Sequence, residues 1–372
     1  MPPRVFVTAL GRLNAPLDGS GLAPDPLLKG RLSARLHLAP RPGEPRLHAL
    51  ARLASERALA GAPGLRNIGA DAKAVFVSSS KGGMEAFDGP APDAGSALWR
   101  FLSSGPGRAL REELGWTGGG RNTPLACATG AYSIGLAFEE LRSGRLQAAL
   151  AGAAEASLTA LVAAAFSRLG ALSSAATADA FCGPFDVRRD GFVLGEAGAA
   201  LVLESETGLA RSGHRPLAEL AGWACTCDAW HLTAPEPEGR QAARCVRLAL
   251  EQAGLRPADV AYVNAHGSGT PAGDRAEAAA LRSVFGGGAG PRVSSIKGAT
   301  GHTLGASGAL EAAVTVEAFS EGRIPANLGC GEPLPELAAW LARDTEAFAG
   351  SAALSLSMGF GGHNVALAFR RA

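Results

Sequence analysis

Aromatic residues and net charge are both scarce in this chain of 372 residues. Aromatics make up 6% of the sequence, and 35 basic residues balance 34 acidic ones. A chain of this length can bury a large core, and few aromatics favour close packing of small aliphatic residues within it. The near-neutral charge argues against nucleic acid as a partner held by overall electrostatics.

Long apolar runs are absent as well. The most apolar stretch, residues 146–166, contains Gln147, Glu155 and Thr159, which makes it a poor membrane span. The beginning of the chain shows no secretory signal, because Met1 leads into a short strand-like run that starts at Val5. We therefore expect no membrane span.

The six cysteines form no disulfide framework that suits a chain of this length. Cys225 and Cys227 are separated by one residue, whereas common zinc sites use at least two, and no second pair follows. We expect free thiols, no metal and a reducing compartment, the cytoplasm.

Strands alternate with helices along the chain, which is the pattern of an α/β protein, and the length suggests two domains. Residues 46–60 are predicted to be a helix, and residues 13–45 are predicted to be loops and short helices. Apolar runs predict buried strands at Val5–Ala9, Ala74–Ser78, Thr123–Ala126, Ala148–Ala153, Ala261–Asn264 and Arg292–Ile296.

An internal repeat relates two parts of the chain. Residues 128–131 match residues 306–309, an offset of 306 − 128 = 178. Each copy follows a short β-like run and continues as an apolar helix. Three further pairs match at this offset: Glu139 with Glu317, Gly144 with Gly322, and Arg145 with Arg323.

Chance similarity between two Ala-rich helices is the alternative to duplication. Matches in register, with the same strand before and the same stop after, favour duplication. We therefore predict two similar halves, residues 1–214 and residues 215–372, with the active site where they meet.

One cysteine and two glycine-flanked histidines are best suited to chemistry. Cys127 comes off a predicted strand and begins a helix, where unpaired N–H groups and the helix dipole favour the reactive thiolate. His266 lies in a Gly-rich loop after a strand, and His302 follows Lys297 by five residues. A thiol with imidazoles and an ammonium suits acyl-thioester chemistry, because the thiol can accept an acyl group while the imidazoles stabilise negative charge.

Each of these residues has a structural alternative, since most cysteines before helices are inert and many such histidines only hold the fold. A buried Lys297 requires a carboxylate partner. Glu311, on the second repeat helix, and Asp274 and Glu277, on one face of the helix before it, are candidates. Surface charge on a helix is the alternative for all three acids.

The combined pattern resembles the elongating β-ketoacyl-acyl carrier protein synthases of the thiolase superfamily. The resemblance runs from about Thr123 to the C-terminus, and the N-terminal strand also fits. The segments that carry it are residues 125–130 (LACATG), 184–196 (PFDVRRDGFVLGE), 228–233 (DAWHLT), 264–270 (NAHGSGT), 297–302 (KGATGH) and 357–364 (SMGFGGHN).

This resemblance implies a thiolase-like α/β fold, with two duplicated α/β halves and mixed five-stranded sheets in a five-layer αβαβα sandwich. It implies decarboxylative Claisen condensation of a Cys127-bound acyl chain with malonyl-acyl carrier protein, in fatty acid or specialised polyketide or polyene biosynthesis. His266 and His302 would bind the malonyl thioester carbonyl. Lys297 would orient them, with Glu311 or Asp274 as its counter-charge.

The resemblance also implies roles for residues around the nucleophile. The backbone N–H groups of Cys127 and Phe360 would form the oxyanion hole, and Phe360 would gate the acyl pocket. Thr233, Ser268 and Thr270 fall where the family contacts phosphopantetheine. No metal or redox cofactor is implied, because phosphopantetheine arrives on the carrier protein.

The implied partners are an acyl carrier protein and a second subunit, in a homodimer or in a heterodimer with a related ketosynthase-like chain. Carrier proteins are acidic, so basic groups are expected near the portal, and Arg46 and Arg189 match positions that serve this in relatives. Arg240, Arg244 and Arg247 share one face of a predicted helix, for which a solvated face is the favoured interpretation.

Neighbouring families fit less well. Thiolases use a second catalytic cysteine near the C-terminal end, starter-type synthases have Asn where this chain has His302, and chain-length-factor subunits lack the nucleophile. Two alternatives remain: a non-catalytic or chain-length-determining partner subunit of a heterodimeric ketosynthase, and a non-decarboxylating acyltransferase on the same fold.

The chain departs from the family mainly in its N-terminal half. The segment Leu17–Glu44 is shorter than usual, and Ser78-Ser79-Ser80-Lys81-Gly82-Gly83 replaces a more Gly-rich turn. These departures leave the catalytic set intact. They favour a specialised synthase over housekeeping fatty acid elongation.

Overall fold

The computed structural model describes residues 3–17, 19–25, 32–87, 101–175, 177–286 and 288–372. The α-helices are α1 Arg46–Ala60, α2 Gly105–Leu114, α3 Thr129–Arg142, α4 Ala160–Arg168, α5 Glu206–Ser212, α6 Arg240–Ala253, α7 Pro271–Phe285, α8 Lys297–Thr300 and α9 Ser307–Glu321. The strands are β1 Val5–Leu13, β2 Ala23–Pro24, β3 Leu32–Ala34, β4 Lys73–Ser78, β5 Ala148–Glu155, β6 Leu194–Gly195, β7 Ala197–Ser205, β8 Ala218–Cys227, β9 Tyr262–Asn264, β10 Arg292–Ser294, β11 Arg323–Ile324, β12 Glu346–Ala347, β13 Ala352–Gly359 and β14 His363–Arg371.

The large sheet has the strand order β10-β9-β13-β14-β8-β1-β7-β5-β4. On one side of its centre, β1 and β5 are antiparallel to β7, and β4 is parallel to β5. On the other side, β8 and β13 are antiparallel to β14, and β9 is parallel to both β13 and β10. The two sides therefore repeat the same arrangement outward from β1 and β8.

Three apolar cores hold five layers of structure together, because the central core lies on both faces of the middle layer of helices. The central core packs α3 and α9 against strands of both halves of the sheet, through residues such as Ile134, Leu310, Leu201 and Leu367. A second core packs α1 on the outer face of β4, β5 and β7. A third packs α6 and α7 on the outer face of β9, β13 and β14. Alternate residues of β5 point into different cores, as the period of a strand requires, and the predicted αβαβα sandwich is confirmed.

Two details of the predicted sheets are wrong. Separate five-stranded sheets were predicted. Instead, Val5–Val7 of β1 pair with Ala218–Leu220 of β8, so the sheets of the two halves are joined edge to edge. The predicted strand Thr123–Ala126 contributes only an isolated bridge at Leu125. The side chain of Thr129 takes the Leu125 N–H, at 2.8 Å, which removes a donor that a ladder would need.

The remaining secondary-structure predictions hold with small shifts. Helix α1 has the predicted bounds, while β1 extends four residues beyond the predicted end at Ala9. The stretch 13–45 contains the short strands β2 and β3, which were expected to be loops or short helices. Residues 18 and 26–31 of that stretch lie outside the described residues.

Helices α3 and α9 meet through small residues near their N-terminal ends. A Cβ on Gly130 would lie 2.6 Å from the backbone nitrogen of Ala309, and one on Gly308 would lie 2.7 Å from that of Ala131. Gly130 and Gly308 are separated by the repeat offset (308 − 130 = 178), and so are Ala131 and Ala309 (309 − 131 = 178). The two contacts are therefore equivalent in the two halves, which supports duplication. The division between residues 214 and 215 stays a prediction. Within the described ranges, no helix is long and apolar enough to cross a membrane.

Candidate active site

Cys127 lies at a strained turn just before α3. Ala126 has φ 46°, a left-handed conformation that is unfavourable for a residue with a Cβ. The Thr129 hydroxyl closes the turn by donating to the Ala126 carbonyl at 2.7 Å and accepting the Leu125 N–H. The helix begins at Thr129, so Cys127 lies two residues before it.

The side chain of Cys127 is buried, with 9% of its surface exposed. Burial raises the pKa of the Cys127 thiol to about 11, although Lys81 and Lys297 act to lower it. The sequence predicted a thiolate stabilised by the helix, whereas the structure favours a neutral resting thiol. The reason is that desolvation disfavours the thiolate more than the nearby ammonium groups favour it.

One cleft brings most of the predicted site residues together. It encloses about 600 Å³, including its open mouth, which lies within the usual range of ligand sites. Its walls include the predicted residues Cys127, His266, His302, Phe360, Thr233, Ser268 and Thr270, together with Phe166 and Phe192.

His302 is held so that one ring nitrogen is an acceptor. Its Nδ1 accepts the Leu304 N–H at 3.3 Å and lies 3.1 Å from the Ser307 hydroxyl. Burial first, and then Lys297 and Lys81, lower the pKa of His302 well below its usual value, so the ring is neutral. The proton of a neutral ring then lies on Nε2, which becomes a donor for a ligand.

His266 is fixed in the same sense. The Nζ of Lys297 lies 3.4 Å from its Nδ1, and an ammonium can only donate, so Nε2 again carries the proton. Burial, Lys297 and His302 lower the pKa of His266 well below its usual value. The centroids of the two imidazole rings lie 5.3 Å apart, and the ring planes are inclined at 80°.

Lys297 is a buried ammonium with a buried partner. Its Nζ donates to the Glu311 carboxylate and to the backbone carbonyl of His266. Both charged side chains are almost completely shielded from solvent. Among the three candidate acids, Glu311 is therefore the one that the structure places on Lys297.

The other two acids hold the backbone around His266. Glu277 accepts the N–H groups of His266 and Gly267, both at 2.7 Å, and burial raises its pKa to about 8. Asp274 accepts the Phe185 N–H at 2.7 Å and forms an ion pair with Arg189 at 3.0 Å. The role of Asp274 as counter-charge of Lys297 is thus corrected to a structural ion pair.

The two arginines expected to dock a carrier protein are engaged in ion pairs. The side chain of Arg189 is 1% exposed and donates to the carbonyls of Thr270 and Pro271 as well as pairing with Asp274. Arg46 pairs with the buried Glu196, and its side chain is 24% exposed. The docking assignment of Arg189 is therefore corrected, because its guanidinium is enclosed by the fold, while that of Arg46 stays a prediction.

Thr233, Ser268 and Thr270 line the cleft. The hydroxyls of Ser268 and Thr270 are 2.9 Å apart, and Thr270 caps α7 by accepting the Gly273 N–H. Thr233 belongs to an exposed loop in which Leu232 is 82% exposed.

Phe360 follows β13 and closes one side of the cleft. Its ring lies 6.2 Å from that of Phe166. The preceding Gly359 packs on the nucleophile, since a Cβ there would lie 3.2 Å from the Cys127 nitrogen. The backbone groups named for the oxyanion hole are therefore neighbours, and the oxyanion hole itself stays a prediction.

Sequence reasoning gave no role to several residues that the structure places here. Ser307 contacts His302, while Lys81 and the buried Glu155 form an ion pair at 3.8 Å on the side of Cys127. The departure of the 78–83 turn from the family pattern was the available signal for Lys81. The available signal for Glu155 was its position within an apolar run, because a carboxylate in a buried strand requires a partner.

Across the described ranges, no cluster of three or more His, Cys, Asp or Glu side chains is suited to hold a metal. Cys225 and Cys227 are exposed free thiols on β8.

Comparison with known proteins defines the family. The beta-ketoacyl synthase N-terminal domain matches residues 65–208, and the C-terminal domain of the same family matches residues 217–331. The 3-oxoacyl-[acyl-carrier-protein] synthase 2 of Synechocystis sp. is 38% identical over 320 residues, which are 82% of this chain and 77% of the relative. The enzyme of the same name from Staphylococcus aureus is 36% identical over 323 residues, which are 81% of this chain and 76% of the relative.

Solved structures give the same result. A beta-ketoacyl synthase from Burkholderia phymatum has a TM-score of 0.87 at 31% identity, and the ishigamide ketosynthase/chain length factor has 0.86 at 28%, each with full coverage of both chains. The AntDE:AntF complex, a type II polyketide acyl-carrier protein with its ketosynthase bound to the hexaketide, has 0.89 at 27%, also with full coverage.

These matches and the site define a ketosynthase of thiolase-like fold, and the chain belongs to the beta-ketoacyl synthase family. It is an acyltransferase-class enzyme that catalyses the condensation by which fatty acid or polyketide chains grow.

Proposed function

We propose that Cys127 carries the acyl chain and that His266 and His302 activate malonyl-acyl carrier protein, so that a 3-oxoacyl-acyl carrier protein and CO2 are formed. The observation that carries this proposal is the set of donors around the Nδ1 atoms of the two histidines. Each Nδ1 is occupied by a donor, so each neutral ring offers an Nε2–H in the cleft that contains the thiol.

Acyl transfer comes first. The sulfur of Cys127 bonds to the acyl carbon while the carbon–sulfur bond of the carrier thioester breaks, and the thiol proton ends on the pantetheine sulfur. The ammonium groups of Lys81 and Lys297 favour the negative charge that the cysteine sulfur develops. The backbone N–H groups of Cys127 and Phe360 would stabilise the oxyanion of the tetrahedral intermediate.

Condensation follows on the acylated enzyme. The malonyl carboxylate leaves as CO2, and its electron pair passes into an enolate whose oxygen accepts the Nε2–H groups of His266 and His302. The enolate carbon bonds to the acyl carbon, and the Cys127 sulfur leaves and regains a proton. Neutral imidazoles suit this step because each can donate a hydrogen bond to the enolate oxygen while it keeps its proton.

Lys297 and Glu311 are positioning residues in this mechanism. The ammonium keeps Nδ1 of His266 an acceptor and lowers the pKa of both histidines. Glu311 neutralises Lys297, which lets the ammonium remain buried.

The substrate groups arrive on an acyl carrier protein, whose phosphopantetheine would pass Thr233, Ser268 and Thr270. This chemistry uses protein side chains and the carried thioesters, so we propose that no metal or redox cofactor takes part. We also propose a dimer, either with a second copy or with a related ketosynthase-like subunit, since solved relatives include complexes with an acyl-carrier protein and with a chain length factor.

Intact-protein mass spectrometry tests the proposal. The protein is incubated with hexanoyl-carrier protein and then with malonyl-carrier protein, and CO2 release is followed. We expect a hexanoyl adduct that is discharged with CO2 release. Cys127→Ala should form no adduct, whereas Cys245→Ala, a second buried thiol outside the cleft, should behave as the wild type.

The other outcomes separate the alternatives. The absence of an adduct from any acyl donor would overturn the assignment of Cys127 and favour a partner-subunit role. An adduct that is transferred without CO2 release would overturn the condensation step and support a non-decarboxylating acyltransferase.

A further inference from the structure

We propose that Lys81 selects acyl chains that carry a carbonyl oxygen beyond the thioester over saturated chains of the same length. This inference rests on the proposed function, because it concerns the acyl group that Cys127 holds. It assigns the substrate class that the family resemblance leaves open.

Lys81 is held in place by the turn after β4. The Ser79 hydroxyl accepts the backbone N–H groups of Lys81 at 3.3 Å and of Gly82 at 3.0 Å. The Lys81 ammonium donates to the Ser80 hydroxyl at 2.7 Å, and its side chain is 28% exposed. An ammonium has three N–H donors, so this fixed group retains hydrogen-bonding capacity for a ligand.

Glu155 provides Lys81 with a fixed counter-charge. The carboxylate is completely buried, and its Oε1 lies 3.8 Å from the Lys81 Nζ. Its Oε2 accepts the Ser80 N–H at 3.0 Å and the Gly305 N–H at 3.2 Å, and its Oε1 accepts the Ser157 hydroxyl at 2.7 Å. The carboxylate therefore cannot turn away from the lysine without losing several hydrogen bonds.

Lys81 borders the apolar cluster that surrounds Cys127. Its Nζ lies 5.9 Å from the ring centroid of Phe166, which in turn lies 5.3 Å from Phe192 in the wall of the cleft. The rest of the cluster consists of Leu158, Val162, Ala163, Ala171, Leu172, Leu194 and Leu304, with Met84 and Phe360 packed against it. An acyl chain on Cys127 would lie among these side chains, with the Lys81 ammonium at their edge.

The chemistry of the chain then decides how well it fits. A saturated chain along Phe166 would remove water from the ammonium and return no acceptor, which is unfavourable. A chain carbonyl would replace the lost water by a charge-assisted hydrogen bond. A neutral carbonyl suits the site better than a carboxylate, because Glu155 already neutralises the lysine.

Competition between matched donors tests the inference. The protein is given equal concentrations of hexanoyl-, 3-oxohexanoyl- and 5-oxohexanoyl-pantetheine, and the adducts on Cys127 are counted early by intact mass spectrometry. In the wild type we expect at least one oxoacyl adduct to exceed the hexanoyl adduct about tenfold. Lys81→Met should bring this ratio close to one, and Lys81→Arg should keep most of it.

The readout is the ratio of adducts, because slower acylation of Lys81→Met, which loses a cation near the Cys127 sulfur, lowers all adducts alike. A hexanoyl adduct on Lys81→Met shows that the variant is folded. A wild type that prefers hexanoyl, or a Lys81→Met protein with an unchanged ratio, would overturn the role of Lys81 alone. Absence of every adduct from the wild type would overturn the proposed function and this inference with it.

Discussion

The turns that precede α3 and α9 share a backbone conformation but differ in chemistry. Ala126 has φ 46° and Leu304 has φ 49°, and the two residues are separated by the repeat offset, 304 − 126 = 178. The next residue is Cys127 in the first turn and Gly305 in the second. The first turn carries the nucleophile, while the second uses the Leu304 N–H to orient His302 and the Gly305 N–H to hold Glu155.

The surroundings explain why only one turn carries a side chain at this position. A Cβ on Gly305 would lie 2.4 Å from Oε2 of Glu155 and 2.7 Å from the backbone nitrogen of Ser80. The duplicated backbone therefore supplies a strained turn twice, and its neighbours decide whether the turn can present a nucleophile.

The largest effect should come from making the first turn like the second. In Cys127→Gly we expect the acyl adduct to vanish and condensation to fall at least about 10³-fold, as when the nucleophile of other covalent enzymes is removed. Mass spectrometry and CO2 release measure this. Cys245→Ala is the control, and an adduct that persists on Cys127→Gly would show that another residue accepts the chain.

Removing the cation of the second half should have the next largest effect. Lys297→Met leaves Glu311 buried without its partner, which should destabilise the fold by about 3–5 kcal/mol. Urea denaturation followed by circular dichroism measures this.

The matched control for that change removes both charges. Lys297→Met combined with Glu311→Leu should recover much of the lost stability without recovering condensation, because the histidines still lack the ammonium. A double variant no more stable than Lys297→Met would show that the buried charge is not the cause.

Adding a methyl group to the second turn should have an intermediate effect. We expect Gly305→Ala to destabilise the protein by about 2–3 kcal/mol, because the new Cβ meets a carboxylate and a backbone that cannot move easily. Gly288→Ala is the control, since nothing lies within 4 Å of its added Cβ. Equal unfolding midpoints for the two variants would contradict the steric explanation of the asymmetry.

The contacts between α3 and α9 should show the symmetry that the turns lack. Gly130→Ala and Gly308→Ala should each cost about 1–2 kcal/mol, and the two costs should be similar because the contacts are reciprocal. Chemical denaturation of the two variants side by side measures this. A cost confined to one of them would argue against equivalent packing of the duplicated helices.

The smallest expected effect is that of lowering the pH. The pKa values of His266 and His302 lie well below 6.5, so lowering the pH from 8 to 6.5 should not protonate the two imidazoles, whereas Glu277, whose pKa is raised to about 8, gains a proton in this range. Below about pH 6.5 these two histidines are protonated in the unfolded chain but neutral in the folded protein. The free energy of unfolding should therefore fall as the pH drops further.

Single turnovers of hexanoyl-Cys127 protein with malonyl-carrier protein isolate the histidine step, because the thiol is already blocked. A loss of rate centred near pH 6.5 would contradict the burial argument for the histidines, whereas one centred near pH 8 would be assigned to Glu277. In Lys297→Met the loss of condensation rate at low pH should occur at a higher pH, since Lys297 no longer lowers the pKa of the two histidines.

The family resemblance predicted the layers and the shared role of Cys127, His266 and His302. Helix α1 and the buried strands follow from apolar periodicity, and the repeat indicated two similar halves. The strand before Cys127 was wrong because a side chain, Thr129, takes a backbone N–H that sequence pattern assigns to a ladder.

Ion-pair partners were harder to predict, because they depend on how distant segments meet. The partner of Lys297 could be narrowed to a few acids but not chosen, and Arg189 could not be recognised as internal. Ionisation was mispredicted for the same reason: the helix favours the Cys127 thiolate locally, while burial by distant residues raises the pKa of its thiol to about 11.

The central core has a consequence for how the chain is made. Strand β1 pairs with β8 more than 200 residues later, and α3 packs against α9 in the central core. While the ribosome is still producing the second half, the first half has an open sheet edge and an uncovered apolar helix face, both of which invite aggregation. A nascent chain with this architecture must be kept soluble until α9 emerges, and residues 1–214 made alone should remain dependent on chaperones.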